Sequence, residues 1–279
     1  STAIKTYIQN FYVANPSLVY LLLVGDMLDG DDSLPDSTDT STTTDLYYAT
    51  MDGSTDTVAD IFYGRFPVRD TTQLANMLNK AIAYQSVTGS EAWVKKAAFI
   101  GTSDTTWYPV AESTHNYVID SYTNPLGYSG IFPATPQPGG DKLYAITYSA
   151  LPTHVITSID DGRSMVVYSG HGSTTAWAGP AITQTNVRNL LANDIFPYVA
   201  GHACLTGKWD VEESFAETWV IQPDQGALVY FGASNNTYWN EDDVLERSIF
   251  DNLYGSSQPS VGAMTQFGLM EVNSKYAER

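Results

Sequence analysis

Two residues of this 279-residue chain have the chemistry of a nucleophile and its proton partner, and each closes an apolar run. Cys204, the sole cysteine, ends the stretch Ile195-Phe196-Pro197-Tyr198-Val199-Ala200-Gly201-His202-Ala203, and His171 follows Met165-Val166-Val167-Tyr168-Ser169-Gly170 and precedes Gly172. A thiolate is a strong nucleophile, and imidazole takes or returns a proton near neutral pH. Each run reads as a buried strand that breaks into a tight turn. One helical stretch lies between them, so the unit is a right-handed crossover with parallel strands, and thiol and imidazole reach the same edge of the sheet. Open α/β sheets bind their ligands beyond that edge.

The elements that must position this pair can be read in chain order. Residues 3–11 carry Ile4, Tyr7, Ile8 and Phe11 at helical spacing. Residues 18–24 form an unbroken apolar run ending at Gly25-Asp26, the pattern of a parallel strand covered on both faces. A strand is expected over 60–68, then a helix capped by Asp70 with Leu74, Met77, Leu78, Ala81 and Ile82 on one face. Loop-like composition at 86–92 marks a boundary between a subdomain of residues 1–90 and one of 91–279. Residues 96–102 read as a strand ending near Asp104, with a helix from Pro109 to Tyr122. Residues 124–140, rich in Pro and Gly, read as an exposed loop beside the site. Beyond Cys204 come a helix over 213–221, a strand over 226–232, a helix capped by Asn240 with Val244, Leu245, Ile249 and Leu253 inward, and a last helix from Val261 towards Arg279.

Composition narrows the function classes. Thirteen Lys and Arg against 31 Asp and Glu give a formal charge of −18, which argues against nucleic acid or an anionic membrane as partner and favours cationic substrates or bound metal. An acidic surface that only confers solubility would give the same figure. One cysteine excludes an internal disulfide. No apolar run approaches the about 20 residues of a membrane span. Ser1 reads as a processed start. Catalysis by a metal is not expected, because neither HExxH nor paired Cys/His spacing occurs. Ten Asp residues fall between Asp26 and Asp60 with no Glu, Lys or Arg among them. A solvated loop can have this composition, but so can a calcium site, which needs about six to eight hard oxygen donors.

The segments SGHGSTTAWAG and FPYVAGHACLTGKW resemble the gingipain-type cysteine peptidases, relatives of caspases, legumains and clostripain. YLLLVGD, TDLYYATMDG, DIFYGRFPV and GALVYFGASNNTYWNE resemble gingipain segments in the same order, so the likeness covers most of the chain. An isolated cysteine is more often a small buried apolar side chain, and the flanking matches reverse that preference. The resemblance implies an α/β fold, a three-layer α/β/α sandwich with a mostly parallel sheet. It also implies an earlier strand and helix before residue 18, outside this sequence or supplied by a separate fragment or propeptide.

The resemblance implies roles as well. Cys204 would be the nucleophile, His171 the acid and base, and the amides of Gly172 and Cys204 the oxyanion donors. Asp104 matches the acid that orients the histidine, although a surface Asp at a strand end reads equally well from pattern alone. Structural calcium would be held by Asp26, Asp56 and Asp60 with the carbonyl of Val58, and Asp52 is a weaker candidate. Trp239 matches a tryptophan over the primary specificity pocket. Asp242 lies near the acid of lysine-specific relatives and Glu112 near that of arginine-specific ones. Both acids also suit a helix terminus, as first-turn carboxylates do. His202 reads as packing or fine tuning, its side chain pointing the same way as that of Cys204 if the strand continues, and His115 and His154 show no partner in sequence.

The expected function is therefore a secreted cysteine endopeptidase acting on peptide or protein substrates after Lys or Arg. Two alternatives stay open: a catalytically silent, calcium-binding surface module, and a transpeptidase using the same Cys-His pair.

Overall fold

The computed structural model describes residues 2–26, 44–53, 56–256 and 260–276. Ser1, the Asp-rich stretch 27–43 and the end of the chain to Arg279 lie outside the described residues. Strands β1 (Tyr20–Val24) and β2 (Phe62–Phe66) pair in parallel as a small separate sheet. Strands β3 (Ala97–Gly101), β4 (Asp141–Tyr144), β5 (Met165–Ser169), β6 (Tyr198–His202) and β7 (Val229–Gly232) form the central five-stranded sheet in the order β7-β6-β5-β3-β4. Every neighbouring pair in it is parallel, and His202 lies opposite Ser169 at the ends of β6 and β5. The longer helices are α1 (Thr2–Ala14), α2 (Thr71–Tyr84), α3 (Tyr108–Val118), α4 (Pro152–Asp160), α5 (Gln184–Asn189), α6 (Phe215–Ile221), α7 (Trp239–Phe250) and α8 (Val261–Tyr276).

Side-chain alternation along the central strands divides the core into two layers. Ala98 and Ile100 of β3, Val166 and Tyr168 of β5 and Val199 of β6 pack with Val155 of α4, Val187 of α5 and Phe215 and Trp219 of α6. The intervening Ala97, Phe99, Met165, Val167 and Ala200 face Val118 of α3, Ile249 and Phe250 of α7 and Met264 of α8. This is a three-layer α/β/α sandwich, and it explains why β3 and β5 are buried at every position. Burying each large side chain contributes about 1.5–3 kcal/mol, so both faces are needed to offset the chain entropy lost on ordering the strands.

Several elements depart from the sequence reading. The run ending in Val24 is parallel but covered on one face only: Leu21 and Leu23 pack with Ile8 and Tyr48, whereas Tyr20, Leu22 and Val24 are more than half exposed. Continuous apolarity cannot distinguish these cases. Asp70 caps α2 as expected, its Oδ1 accepting from the amides of Thr72 and Gln73 at 2.7 and 2.8 Å. The buried face of α2 is nevertheless Met77 and Lys80, with Leu78 and Ile82 outward. The Lys80 ammonium donates to the carbonyl of Val220 at 2.6 Å, at the end of α6 where helical carbonyls lack partners, and burial pulls its pKa down to about 7. Helix α7 begins at Trp239 with Tyr238, not Asn240, at its cap position.

The segment 124–140 is not a loop beside the catalytic edge. It forms a small hairpin, Ser129–Gly130 with Gln137–Pro138, against edge strand β4. Sequence reading passed over β4 altogether, although its first residue, Asp141, is fully buried and takes the Nε–H of buried Arg163 at 2.8 Å. The parallel order turns back between β3 and β5, because the chain leaves β3 for the β4 edge and returns to the other side of β3. A crevice at such a switch point is where an α/β sheet offers a binding site.

Candidate active site

The ends of β3 and β5 flank this switch point and deliver Asp104 and His171 to it. Asp104 Oδ1 accepts from the amides of Thr106 and Trp107 at 2.7 and 2.8 Å, which fixes the turn leading into α3. Its Oδ2 is then aimed at His171 Nε2, 2.9 Å away. The imidazole hydrogen bond, followed by those two amides, holds the Asp104 carboxyl below its ordinary range. With Nε2–H donating to the carboxylate, Nδ1 is the nitrogen available to a reacting group, and the ring is exposed enough to meet one. The Trp239 ring meets it edge-on at 5.3 Å, and Trp107 stacks on Trp239 at 5.8 Å and 7°, so two indoles limit its tilt.

Cys204 sits just beyond β6, where the chain turns sharply. The next residue, Leu205, has φ +61°, a left-handed conformation costly for a branched side chain and held by its amide donating to Asn235 at 3.1 Å. The Thr237 amide donates to the Cys204 sulfur at 3.4 Å, and the thiol faces the Thr237 carbonyl at 3.6 Å. A cleft of about 180 Å³, room for about one side chain, is lined by His171, Cys204, Thr237, Tyr238, Trp239 and Asp242. Asp242 is almost fully buried. Burial chiefly, with Glu246 and Glu241 adding repulsion, raises its pKa to about 7 against the opposing Thr237 hydroxyl hydrogen bond. Thr237 thus touches both the thiol and the buried acid.

A thiol, an imidazole held by a carboxylate, and a side-chain-sized cleft with an acid in its wall are together the parts for acyl transfer. The model of peptidase family C25 matches residues 1–279. The chain belongs to peptidase family C25. Lys-gingipain of Porphyromonas gingivalis is 30% identical over 252 residues, 87% of this C25 chain and 14% of that protein. Gingipain R2 of the same organism is 24% identical over 292 residues, 99% of this chain and 37% of that one. The C25 chain therefore spans a minor part of these relatives' length. The crystal structure of the Arg-specific cysteine proteinase gingipain R superposes with a TM-score of 0.83 at 24% identity, over 100% of this chain and 64% of that one. A complex of Porphyromonas gingivalis gingipain R pro- and mature domains gives 0.82 at 22%, over 100% and 65%. At these identities the solved structures establish the fold.

Within this C25 member, Gly172 abuts the Cys204 turn so closely that a β-carbon would lie 2.8 Å from the Ala203 β-carbon, the Cys204 carbonyl oxygen and the Thr206 methyl. Gly172→Ala is accordingly expected to push the two turns apart and lower kcat by about 100-fold, the cost of roughly an ångström of misplacement. The rate of Cys204 alkylation should change far less, and a wild-type kcat would show that the turns can yield.

Other expected site residues fall elsewhere. Glu112 is buried in α3 and accepts from the Thr147 hydroxyl, and it does not line the cleft. Asp26 is ion-paired with Arg69. The carboxylates of Asp52, Asp56 and Asp60 converge instead, each offering an oxygen within 4.8 Å of the others, and the Val58 amide donates to Asp56 at 3.0 Å. His202 does not line the cleft with Cys204: β6 ends at His202, and its ring is buried beside Glu246. His115 and His154 do have partners: His115 bonds Glu246, and His154 Nδ1 accepts from the Leu151 amide at 3.1 Å. Sequence reading missed Trp107 and Thr237. The string NNTYWNE contains Thr237, but only the turn after β7 brings its backbone to the sulfur.

Proposed function

We propose that this chain is a cysteine endopeptidase that cleaves after basic residues, with Lys favoured over Arg. The observation that carries the reading is the buried Asp242 carboxyl in the same small cleft as Cys204 and His171. An unpaired carboxylate there is costly, and a cationic P1 side chain supplies the missing partner. The names Lys-gingipain and gingipain R support a basic P1, and the absence of Glu112 from the cleft supports Lys.

In the proposed mechanism the Cys204 thiol passes its proton to His171 Nδ1, and the sulfur attacks the scissile carbonyl. The resulting oxyanion is met by the amides of Gly172 and Cys204. The imidazolium, steadied by Asp104, returns its proton to the leaving amine as the C–N bond breaks. Water then enters, His171 takes its proton, and the thioester is hydrolysed to the acid with the thiol restored. Labelling of Cys204 by peptidyl electrophiles, followed by mass spectrometry, tests the reading. A Lys-bearing electrophile should label rapidly, an Arg-bearing one more slowly and a Glu-bearing one hardly at all. Equal labelling by all three would refute the specificity, and absence of labelling would favour a silent module.

Residues 1–90 form the N-terminal subdomain in this reading and 91–279 the catalytic one, and the former carries structural calcium. Three carboxylates gathered at Asp52, Asp56 and Asp60 repel one another, and hard oxygen donors at that spacing suit calcium. Bound calcium would neutralise them and tie the Asp52 turn to the start of β2. A ligand at a hundredfold excess over its Kd stabilises by about 2.7 kcal/mol. Thermal unfolding should therefore rise by several degrees with added calcium and fall with chelator, and Asp56→Asn should remove the response. A Tm indifferent to both would leave the cluster as solvated surface. We place the protein outside the cell, by likeness to the gingipains, with peptide or protein substrates and a pro-domain as partners. Among the described residues no helix is long and apolar enough to cross a membrane.

A further inference from the structure

Beneath the cleft lies a buried titratable cluster that the proposed chemistry does not use. Glu246, one turn beyond Asp242 on α7, is fully buried. Its Oε1 is 2.7 Å from His115 Nδ1, and His115 Nε2 is 3.1 Å from the Ile100 carbonyl. A carbonyl can only accept, so Nε2 must carry a proton. The Nδ1–Oε1 contact then holds one proton more, because two lone pairs at that distance would repel. His115 and Glu246 together therefore form an electrically neutral unit at the foot of the cleft. The second Glu246 oxygen has no hydrogen-bond partner among the described residues and lies 3.8 Å from His202 Nε2. Neither ring nitrogen of His202 has such a partner either, and burial lowers its pKa, so it remains neutral.

Three buried titratable side chains are an expensive way to fill a core, and removing one partner of a buried pair exposes the other's charge to its neighbours. The neighbour on α7 is Asp242. The titratable groups around Asp242 include Glu241 and Glu246 on its own helix, Tyr238 at that helix's cap, and His171 and Cys204 across the cleft; the larger adjoining cavity adds His202 on β6, with Asp45, Arg65 and Glu217 along its walls. Helix α8 brings Thr265 and Gln266 to that cavity, neither of which titrates. Around Glu246 stand His115 from α3, with Glu112 behind it, Tyr144 from β4, and Tyr198 and His202 from β6. His115 is the only one of these that meets Glu246 with a protonated nitrogen at hydrogen-bond distance among the described residues.

We infer that His115, as an imidazolium paired to the Glu246 carboxylate, is a positioning residue for P1 specificity: it offsets the Glu246 charge, which would otherwise repel Asp242 in full, so that Asp242 can ionise and receive a cationic side chain at neutral pH. The direction of the His115 pKa agrees. Burial alone would depress it, but the Glu246 charge and hydrogen bond, together with the Ile100 carbonyl, raise it above the ordinary value. The inference rests on Asp242 being the P1 acid.

The test is the pH dependence of kcat/KM for paired substrates with Lys or norleucine at P1, in wild type, Asp242→Asn, His115→Gln and His115→Gln/Glu246→Gln. His115→Gln is expected to move the acid limb for the Lys substrate to higher pH by about one unit, roughly a fivefold loss at pH 7, because an uncompensated carboxylate then faces Asp242. The norleucine profile should stay in place. Adding Glu246→Gln should return the Lys limb to within about threefold of wild type, since removing both charges restores neutrality. A merely structural role would depress both substrates together and leave the double variant no better than the single, and either result overturns the inference. A Lys preference that survives Asp242→Asn overturns the P1 assignment itself, whereas loss of preference there with an unmoved limb in His115→Gln overturns this inference alone. Should His115→Gln fail to fold, ¹⁵N imidazole spectra of the wild type decide: both His115 nitrogens protonated at pH 8 supports the pair, and a bare Nδ1 overturns it.

Discussion

Cys204→Ala is expected to abolish amide hydrolysis, with kcat falling by about 10⁴-fold or more, while Tm stays within a few degrees of wild type. The asymmetry follows from what the thiol touches. Among the described residues its sulfur has hydrogen-bond contacts with the Thr237 amide and carbonyl at 3.4 and 3.6 Å, contacts that a small side chain forgoes at little cost in packing. His171→Ala should lose a similar factor, and the double variant should be hardly worse than either single, because nucleophile and proton carrier act as one unit. Asp104→Asn should keep the turn bonds at Thr106 and Trp107 but lose the charge that favours an imidazolium, so its defect should be smaller than that of His171→Ala. Single-turnover and steady-state kinetics on a Lys-containing peptide would read all four. Turnover near wild type in Cys204→Ala would reduce the thiol to a packing residue.

The second large effect is expected at Asp242. Asp242→Asn should lower kcat/KM for Lys substrates by about 100-fold, corresponding to about 3 kcal/mol for a desolvated charge pair, and change a norleucine substrate by less than about threefold. Its pH signature has a definite sign. Burial, with Glu246 and Glu241, lifts the Asp242 carboxyl to about 7, so the acid is neutral below that pH and charged above it. The wild-type ratio of Lys to norleucine kcat/KM should therefore climb as pH rises through about 7, and in Asp242→Asn it should be flat. Stability runs the other way. A carboxyl whose folded pKa lies above its unfolded value contributes stability at low pH, and this is lost as pH rises from the ordinary carboxylate range through about 7. Asp242→Asn should thus gain stability relative to wild type as pH rises from 4 to 8. Free energies from urea unfolding at several pH values would check it. Together these trends describe a site that gives up folding free energy to hold an acid in readiness for a cation. A Lys:norleucine ratio independent of pH, or a P1 profile rich in Asp or in large apolar residues, would place the specificity elsewhere.

Local chemistry made several of these features legible in the sequence. The runs before His171 and Cys204 are largely β-branched or apolar because both faces of β5 and β6 are covered, and the crossover rule placed their ends on one edge. The Asp70 cap was legible because capping depends only on the adjacent amides of α2. The match of NNTYWNE to a family segment pointed to Trp239 and Asp242, both of which line the cleft. What escaped the sequence depended on groups far apart in the chain. Lys80 turned inward because the free carbonyls at the end of α6 await it, and Asp26 went to Arg69 while Asp52 joined Asp56 and Asp60. His115 and Glu246 are separated by more than a hundred residues and become a pair only when α3 and α7 pack on the same face of the sheet. Sequence by itself determined four of the five central strands and the thiol and imidazole at the ends of two of them, since periodicity and residue type are local properties. Tertiary structure alone decided which acid faces the cleft and which is taken by a hydroxyl, because a buried charge is placed by whatever partner the packing brings within reach.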